Sequence, residues 1–415
     1  MTCRRLTRRV LTALSVLAVL GFLAFLSLLG SLWLEHRTDV TLPTPTGSFA
    51  VGRAIYHWTD DAADTLAPVP GTKRELVVWI WYPAAAAQSP ATTDDYLPAT
   101  WRSAVERARG GVISGLLTRD LSKVHPHSIR NADVSPRQPS YPVVIMRAGA
   151  SLEVFNYSTL AEDLASHGYV VVGFDAPYRT NVVVFPDGRV MRRTPENNPE
   201  RCLEVQGAER ARCVSRVLDA WIADTTFVLD RLERVNTSDA SGRFTGRLDM
   251  TRIGVMGHSF GGATALQFCS EDSRCKAGID VDGAPLGSVV RTGVRQPFIF
   301  LFSDHSHETD AEANQVRTDF HAIYDRLPSD KKALIVIRGA NHFLFSDDWA
   351  LLKSRIALRA LRLFGIVGID GRRQLAAAAY CVDSFFDAYL KGSSTSSRPE
   401  MSSPLYPEIQ PLNNF

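Results

Sequence analysis

Continuous apolar runs alternate with amphipathic segments along most of the chain. Residues 141–146 and 169–174 are such runs, and they are typical of strands that are buried on both faces of a parallel sheet. Between them, residues 157–167 predict a crossover helix that ends at Gly168. Further buried strands are predicted at residues 253–256, 277–281, 297–302 and 333–337. This order predicts an α/β fold with a mostly parallel, doubly wound sheet.

Other segments interrupt or flank that alternation. Residues 49–58 and 75–82 are rich in Val, Ile, Trp and Tyr, which predicts two strands that form an antiparallel edge of the sheet. Residues 96–138 and 177–212 are insertions, and either could form a lid or a substrate wall. The second insertion contains a Pro-Asp-Gly turn at residues 186–188, which indicates a hairpin.

The N-terminal segment has the composition of a membrane span. Residues 10–34 contain no charged side chain, and at about 1.5 Å per residue they exceed the roughly 30 Å hydrocarbon thickness of a bilayer. The arginines that precede this segment are Arg4, Arg5, Arg8 and Arg9. By the positive-inside rule, the N-terminus stays in the cytoplasm and everything after Glu35 lies on the extracytoplasmic side. We therefore expect an uncleaved, single-pass signal anchor rather than a secretion signal, which would be shorter, or a core helix, which would have a polar face.

The expected division of the chain is a basic cytoplasmic tail, a transmembrane helix, a linker, one α/β domain and a Ser/Pro-rich tail. Their bounds are residues 1–9, 10–34, 35–47, 48–392 and 393–415. A chain of 415 residues with 45% hydrophobic and 22% charged residues can bury a large core. The net charge is +2 and the basic residues are scattered outside the N-terminus, which argues against nucleic-acid binding.

The cysteine positions agree with an oxidising compartment. Cys202 and Cys213 flank a polar stretch, and Cys269 and Cys275 flank another, so each pair could close a short loop as a disulfide. The two other cysteines are Cys3 and Cys381. A zinc site is the alternative, but none of the pairs has C-x-x-C spacing or a histidine at finger distance.

The strongest candidate for chemistry is a Gly-x-Ser-x-Gly motif at residues 257–261, between the predicted strand 253–256 and a plausible helix. This order is that of a nucleophile elbow, in which a strained turn exposes a serine hydroxyl. Gly257 and Gly261 lie where a Cβ would crowd the turn. The motif therefore indicates that Ser259 is a nucleophile. The alternative interpretation is a Gly-rich turn with a structural role only.

A serine nucleophile also needs a base and an acid, each in a loop at the carboxyl end of a later strand. Of the histidines after Ser259, only His342 follows the last predicted strand. His258, beside the nucleophile, is better interpreted as a residue that packs the elbow. Asp282 and Asp304 end successive predicted strands, and spacing alone favours Asp304, which is in the commoner position for the acid.

Several segments resemble the platelet-activating factor acetylhydrolase family, whose members are serine esterases with an α/β-hydrolase fold. The segments are residues 164–171, 260–262, 270–272, 278–282, 285–287 and 338–342. The resemblance covers most of the chain from about residue 49 to about residue 390. In the family the acid lies in a Gly-Ile-x-x-Asp segment. The resemblance therefore implies Asp282 rather than Asp280 as the acid, with Asp304 as the alternate.

Two backbone N–H groups are needed to hold the oxyanion. The residue after the nucleophile, Phe260, supplies one of them. The family usually has His-Gly-x-Gly or Pro-Gly-x-Gly after the preceding strand, where this chain has Met-Arg-Ala-Gly-Ala at residues 146–150. Only Gly149 matches, and we assign the second donor to Ala148. Arg147 is either solvated or steers an anionic group of the substrate.

These residues predict acyl transfer through a covalent serine ester. His342 takes the proton from Ser259, and Asp282 orients and stabilises the imidazolium. No cofactor or metal is implied, and a metal site at the polar residues 304–308 is the less favoured interpretation of that loop. The resemblance implies hydrolysis of short or oxidised acyl chains from phospholipid-like or other small esters, and the expected anchor would keep the active site near a lipid surface. An acyltransferase with the same triad and a non-catalytic binding protein on this scaffold are the alternatives, and no oligomeric state is predicted.

Overall fold

A computed structural model describes residues 2–85, 93–110, 115–150, 152–306, 310–328, 332–392 and 403–412. The strands are β1 (Val40–Thr41), β2 (Ala50–Ala63), β3 (Lys73–Ala84), β4 (Val124–His125), β5 (Ile129–Arg130), β6 (Tyr141–Arg147), β7 (Val170–Asp175), β8 (Val182–Val184), β9 (Val190–Arg192), β10 (Leu248–His258), β11 (Cys275–Val281), β12 (Phe298–Phe302), β13 (Lys332–Ile337) and β14 (Ile409–Pro411).

The helices are α1 (Thr2–His36), α2 (Ala99–Arg109), α3 (Ser158–Ser166), α4 (Gly207–Thr237), α5 (Phe260–Glu271), α6 (Val289–Thr292), α7 (Ala311–Tyr324), α8 (Arg355–Leu363) and α9 (Gly371–Leu390). Short 3-10 turns lie at Leu121–Lys123, Val154–Tyr157, Pro195–Asn197, Pro199–Leu203 and His342–Phe345, and a π-helical turn lies at Asp348–Leu352.

Ten strands form one sheet in the order β14-β13-β12-β11-β10-β6-β7-β3-β2-β5. The six strands from β13 to β7 run parallel, whereas β3 pairs antiparallel with both β7 and β2. The expected mostly parallel sheet with an antiparallel β2–β3 pair towards one edge is therefore confirmed. The carboxyl ends of the parallel strands meet at one edge, where loops from several strands can assemble a site.

Helices cover both faces of the sheet. Helices α3 and α9 pack on one face, and α4, α5 and α7 pack on the other. Successive residues of β6 alternate between the two cores: Val144 and Met146 belong to the first, and Val143 and Ile145 to the second. This burial on both sides explains why the parallel strands are continuous apolar runs in the sequence.

Most of the helices and strands predicted from the sequence are present, but they begin or end at other residues than predicted. The predicted crossover helix begins at Ser158, after a 3-10 turn, and the strand before the Gly-x-Ser-x-Gly motif begins at Leu248, earlier than its apolar stretch. The hairpin around residues 186–188 consists of β8 and β9. Several other elements were not predicted, and one of them covers an edge of the sheet. Within the segment taken as a Ser/Pro-rich tail, β14 pairs antiparallel with β13 and covers that edge of the sheet.

Both predicted cysteine pairs are disulfide-bonded. The Cα atoms of Cys202 and Cys213 are 5.4 Å apart, and those of Cys269 and Cys275 are 5.2 Å apart. Cys381 is a buried free thiol on α9. The first disulfide joins the 3-10 turn Pro199–Leu203 to the beginning of α4, and the second closes the turn between α5 and β11.

The apolar N-terminal segment lies within α1. Its stretch Leu11–His36 has a mean hydropathy of 2.4, and its most apolar window is not buried in the protein. It is therefore not a core helix, which was one of the alternatives. The end of α1 is attached to the domain, because the His36 carbonyl accepts from the N–H of Asp120 at 2.9 Å and the Glu35 carboxylate accepts from Ser354 Oγ at 2.6 Å.

Candidate active site

Ser259 lies in a sharp turn between β10 and α5, with φ 56° and ψ −126°. Non-glycine residues rarely adopt this backbone conformation, and it persists where the surrounding structure enforces it. A Cβ built on Gly257 would lie 2.1 Å from the carbonyl oxygen of Gly261, and one on Gly261 would lie 2.4 Å from that of Ala148. The close approach of these backbone segments thus requires the two glycines of the motif.

Ser259, His342 and Asp282 form a continuous hydrogen-bonded chain. His342 Nε2 lies 3.2 Å from Ser259 Oγ, and His342 Nδ1 lies 2.7 Å from Asp282 Oδ2. Asp282 follows β11, and His342 begins the 3-10 turn after β13. The sequence predicted these three residues, and the fold brings them together. In this arrangement His342 can accept the serine proton while its other ring nitrogen donates to the carboxylate.

The Asp282 carboxylate has more partners than His342. Its Oδ1 accepts from His305 Nε2 and from the Ser303 N–H, each at 2.8 Å, and its Oδ2 also accepts from Ser303 Oγ at 2.7 Å. Burial raises the pKa of this carboxyl, but hydrogen bonds from His305 and His342 hold the pKa well below its usual range. The group is therefore an anion that can stabilise an imidazolium.

The two other aspartates that were considered as the acid lie elsewhere. Asp304, the alternate, accepts from the N–H of Gly339 at 2.9 Å and lies 3.4 Å from Arg338, and it makes no hydrogen bond to His342. Asp280 is buried beneath the elbow, where it accepts from the N–H of Gly283 at 2.8 Å. Burial raises the pKa of Asp280 to about 8, so its carboxyl is largely neutral at neutral pH and does not suit the stabilisation of an imidazolium.

The expected second oxyanion donor, Ala148, does not line the cavity above Ser259. β6 extends to Arg147, so Ala148 is still buried at the strand end, and the residues that line the cavity at Ser259 include Gly149 and Ala150 but not Ala148. The N–H of Gly149 donates to the Tyr157 hydroxyl at 3.1 Å. Within the described part of the chain, no group accepts a hydrogen bond from the N–H of Ala150. Ala150 thus lies beside the cavity with an N–H that is not used elsewhere in the described residues.

His258 connects the oxyanion loop to the backbone of His342. Its Nε2 donates to the carbonyl oxygen of His342 at 3.0 Å, and its Nδ1 accepts from the Tyr157 hydroxyl at 2.7 Å. Burial, reinforced by the nearby His342, lowers the pKa of His258 to about 3. The ring is neutral at neutral pH and packs at the elbow, as the sequence suggested.

Arg147 is not solvated, and it does not reach the substrate cavity. Both expectations for it were therefore wrong. Its side chain is 3% exposed and lies between two aromatic rings, 4.0 Å from the centre of Phe174 and 4.6 Å from that of Trp221. Burial lowers its pKa to about 10. The guanidinium therefore stabilises the core beside the elbow through cation–π contacts.

A cavity of about 950 Å³ opens above Ser259 and His342. Its apolar walls are formed by Leu152, Leu203, Val214, Ala263, Leu286, Val316, Phe343 and Trp349. The second insertion contributes several lining residues between Pro199 and Arg210, whereas the described residues of the first insertion contribute none. Polar side chains also line it, and two of them, Arg210 and Glu312, form an ion pair at 2.6 Å. The cavity is large enough for an ester with a lipid-like substituent.

The geometry can be compared with known proteins. A profile of the family described as platelet-activating factor acetylhydrolase, isoform II, matches residues 34–387. The chain belongs to this family. A probable 1-alkyl-2-acetylglycerophosphocholine esterase of Arthroderma benhamiae is 27% identical over 389 residues, which are 89% of this chain and 92% of that protein.

Other relatives of this acetylhydrolase-family chain are more distant or cover less. The platelet-activating factor acetylhydrolase of Bos taurus is 29% identical over 227 residues, which are 50% of this chain and 48% of the bovine protein. A structure of the ferulic acid esterase from Streptomyces cinnamoneus superposes with a TM-score of 0.71 at 25% identity, and it covers 90% of this chain and 100% of that one. The chain therefore has the α/β-hydrolase fold and is a carboxylic ester hydrolase.

One cluster in this acetylhydrolase-family chain has the composition of a metal site. Ligand atoms of Asp163, His167 and Asp383 lie within 4.8 Å of one another. Thr46 forms hydrogen bonds to two members of the cluster: its N–H donates to Asp163 at 2.6 Å, and its Oγ1 lies 2.9 Å from His167 Nε2. Burial and the neighbouring Asp163 raise the pKa of Asp383 well above its usual value. The bonds from Thr46 attach the linker to α3 and to the residue that follows it.

The sequence did not predict that His305 forms a hydrogen bond to the catalytic acid Asp282. It singled out His305 only within a loop with metal-like composition, of which residues 307–309 lie outside the described residues. His305 lies three residues after the end of β12, the strand that neighbours β11 in the sheet, and this position is the signal that could have placed it beside Asp282.

Proposed function

We propose that this chain hydrolyses short acyl esters of phospholipid-like molecules through a covalent acyl-enzyme on Ser259. The observation that carries the proposal is the hydrogen-bonded chain from Ser259 through His342 to Asp282 on the floor of a largely apolar cavity. The printed names of two relatives describe esterases of acetylglycerophosphocholine and platelet-activating factor, which supports this class of ester.

The geometry suggests a role for each group. His342 Nε2 removes the proton from Ser259 Oγ as the oxygen attacks the ester carbonyl, and the resulting imidazolium is stabilised by the anionic Asp282. His342 then donates the proton to the leaving alcohol. A water molecule, activated by His342 in the same way, attacks the acyl-enzyme and releases the acid.

The tetrahedral oxyanion would be held by two backbone N–H groups. Phe260 is the first residue of α5, so its N–H also benefits from the positive end of the helix. For the second donor we favour Ala150 over Ala148, because Ala150 lines the cavity. Each such donor is worth about 2.7–4 kcal/mol of transition-state stabilisation.

We also propose that α1 is a single-pass anchor that keeps the catalytic domain on the extracytoplasmic side. The length and hydropathy of Leu11–His36 support a span. The exposed Trp33 under the Arg37 guanidinium, 5.0 Å from its ring centre, supports an interface at this end of the helix. An anchored enzyme would meet its ester at a lipid surface.

An acyltransferase would use the same three residues but would pass the acyl group to an alcohol instead of water. The polar groups along the cavity favour access of water to an acyl-enzyme. Product analysis with an added alcohol acceptor distinguishes the two reactions, because a transferase yields the new ester in preference to the free acid.

The test is hydrolysis of p-nitrophenyl esters from acetate to octanoate by the full chain in detergent micelles. Ser259→Ala should lower kcat by about 10³-fold or more, since nucleophile removal leaves only binding and oxyanion stabilisation. Ser270→Ala is the matched control, because Ser270 lies on α5 and donates only to the Gln267 carbonyl. Equal activity of Ser259→Ala and the unchanged chain, with no labelling of Ser259 by a fluorophosphonate, would refute the proposal.

A further inference from the structure

One cluster of side chains outside the catalytic site combines two buried carboxyl groups with an imidazole. We call it the Asp383 cluster, and it consists of Asp163, His167 and Asp383, whose ligand atoms lie within 4.8 Å of one another. Asp163 is 5% exposed and Asp383 is 8% exposed. Buried carboxyl groups this close together repel each other unless a proton or a cation reduces their charge.

Two oxygens of the Asp383 cluster receive no hydrogen bond. Asp163 Oδ2 and Asp383 Oδ1 are both buried, and no donor among the described residues reaches either of them. The nearby ammonium group of Lys391 donates to Asp387 at 2.7 Å and to the carbonyl oxygen of His167 at 2.6 Å. Buried polar atoms without a partner are rare in folded proteins, and a bound ion is one explanation for them.

Attachment of the linker to α3 does not account for these two oxygens. The N–H of Gly47 donates to Ser166 Oγ at 2.8 Å, and a Cβ built on Gly47 would lie 2.2 Å from the Ser166 carbonyl oxygen. The N–H of Thr46 donates to Asp163 Oδ1, which leaves Oδ2 of that carboxylate. These contacts hold the linker closely against the end of α3, and none of them involves Asp383.

The spacing of the three residues suits a metal ion. Asp163 and His167 are four residues apart at the end of α3, and His167 keeps helical dihedral angles, so both side chains project from one face. The zinc ligands of the helical H-E-x-x-H motif have the same spacing. Asp383 comes from α9, and its Oδ2 lies 3.7 Å from His167 Nε2. Ligands of a tetrahedral zinc ion lie about 3.3 Å apart, since each bond is about 2.0–2.1 Å long.

We propose that Asp163, His167 and Asp383 bind a zinc ion that fastens α9 to the end of α3. An imidazole nitrogen beside two carboxylates is a donor set for zinc, whereas magnesium and calcium prefer oxygen ligands. The ion replaces the proton that Asp383 otherwise keeps, and a water molecule completes the tetrahedron. The His167 side chain is 26% exposed, which gives the ion a path from solvent.

The zinc site is separate from the catalytic groups. Helix α3 leads into the amino end of β7, so the Asp383 cluster lies at the amino ends of the parallel strands. Ser259 and Asp282 follow the carboxyl ends of β10 and β11, at the other edge of the sheet. The ion therefore contributes to the stability of the domain and takes no part in the proposed hydrolysis.

The test is titration of the full chain with zinc chloride in detergent micelles, after treatment with EDTA and removal of the chelator. A Cys3→Ser background removes a thiol that competes for zinc. We expect calorimetry to show one zinc ion per chain with a Kd of about 1 µM or lower. Zinc at about 100 times the Kd should raise the Tm by about 4 °C. Cobalt in place of zinc should give the visible absorption bands of a tetrahedral site.

Variants of the Asp383 cluster test which residues bind the ion. Asp383→Asn and His167→Gln should each lower zinc affinity about 100-fold or more, because loss of an outer partner alone lowers metal affinity by about 10–100-fold. Asp383→Asn also removes the repulsion between the carboxyl groups, so it should not lower the Tm of the zinc-free chain. Its loss of zinc binding then does not reflect misfolding.

The matched control is His125→Gln. His125 forms an ion pair with Asp39 at 2.8 Å, but among the described residues it belongs to no group of three metal-type ligands. This variant should bind zinc like the unchanged chain. All three variants should hydrolyse p-nitrophenyl acetate at the unchanged rate, since none of the substituted residues lines the catalytic cavity.

Three results would overturn the zinc site. One is a chain that binds no zinc, in which the two carboxyl groups share a proton only. Another is zinc binding that Asp383→Asn and His167→Gln leave unchanged, and inhibition of hydrolysis in parallel would then place the ion at His342. The third is calcium that binds to the cluster in preference to zinc. Loss of Ser259-dependent hydrolysis is a separate readout, because it would refute the proposed function and leave the zinc site in place.

Discussion

At the scale of single residues, the acid of the site shows what a sequence can and cannot establish. Asp282 and Asp304 both end predicted strands, and spacing alone favoured Asp304, whereas the family resemblance implied Asp282. The choice depends on the backbone: Asp282 has φ 55°, which turns its side chain to His342, while Asp304 binds the Gly339 N–H. The sequence also could not show that Arg147 is buried, because one of the rings that cover it belongs to Trp221, which is distant in sequence.

The first prediction concerns His305. His305→Ala removes a hydrogen bond to the Asp282 carboxylate and should lower kcat about tenfold, since hydrogen bonds to charged groups contribute about 1.5–3 kcal/mol. His305→Gln keeps a side-chain donor and should restore most of the loss. The measurement is kcat and KM for p-nitrophenyl acetate across pH for both variants. A positioning role changes kcat and its pH profile with little change in KM, whereas equal losses in the two variants would contradict it.

At the scale of elements, periodicity and turn residues predicted the strands, the crossover helix and the β8–β9 hairpin because these depend on local pattern. They failed for β14, whose three residues form a strand only through pairing with β13. They also could not tell which insertion reaches the site. Residues 199–214 do, because the disulfide between Cys202 and Cys213 joins a 3-10 turn to the first turns of α4 over the cavity.

The second prediction concerns that disulfide. The double variant Cys202→Ser/Cys213→Ser should lose about 2–4 kcal/mol of unfolding free energy. It should also raise KM for octanoate more than for acetate, since Leu203 and Val214 line the cavity. The measurements are urea unfolding and steady-state kinetics on the two esters.

The matched control is Cys269→Ser/Cys275→Ser. This disulfide closes a turn at the far end of α5, and neither cysteine lines the cavity. The control should lose stability without a change in the ratio of the two KM values. If both double variants shift that ratio equally, the Cys202–Cys213 bridge has no special role in shaping the cavity.

At the scale of the whole molecule, the order of apolar runs predicted the fold class. It did not predict which charged residues form ion pairs when they are far apart in the sequence. A buried network shows why: Arg179 bonds Asp64 at 2.8 Å and Asp224 at 2.7 Å, and thereby joins the β2–β3 turn to α4. No spacing rule connects residues that far apart. The sequence also did not show that the Asp280 carboxyl is buried beneath the elbow, where burial raises its pKa to about 8.

The last prediction is the pH dependence that Asp280 imposes. Burial raises the folded pKa of Asp280 to about 8 from its ordinary value of 3.8, so between these pH values the folded state keeps a proton that the unfolded state has released. The stabilisation is complete below pH 3.8 and is lost as pH rises towards 8, by about 1.4 kcal/mol per pH unit. Asp280→Asn does not titrate and can still accept from the Gly283 N–H. Its unfolding free energy should therefore rise relative to the unchanged chain by about 3 kcal/mol from pH 5 to pH 7.

Urea unfolding of the full chain in micelles at the two pH values measures this difference, and Asp304→Asn is the control. The hydrogen bond from Gly339 and the charge of Arg338 outweigh burial and lower the folded pKa of Asp304. Its contribution is complete above its unfolded pKa and is lost only as the medium becomes more acidic. The difference between Asp304→Asn and the unchanged chain should thus be the same at pH 5 and pH 7. A constant difference for Asp280→Asn as well would mean that Asp280 is ionised in the folded protein, and its burial beneath the elbow would then need a counter-charge.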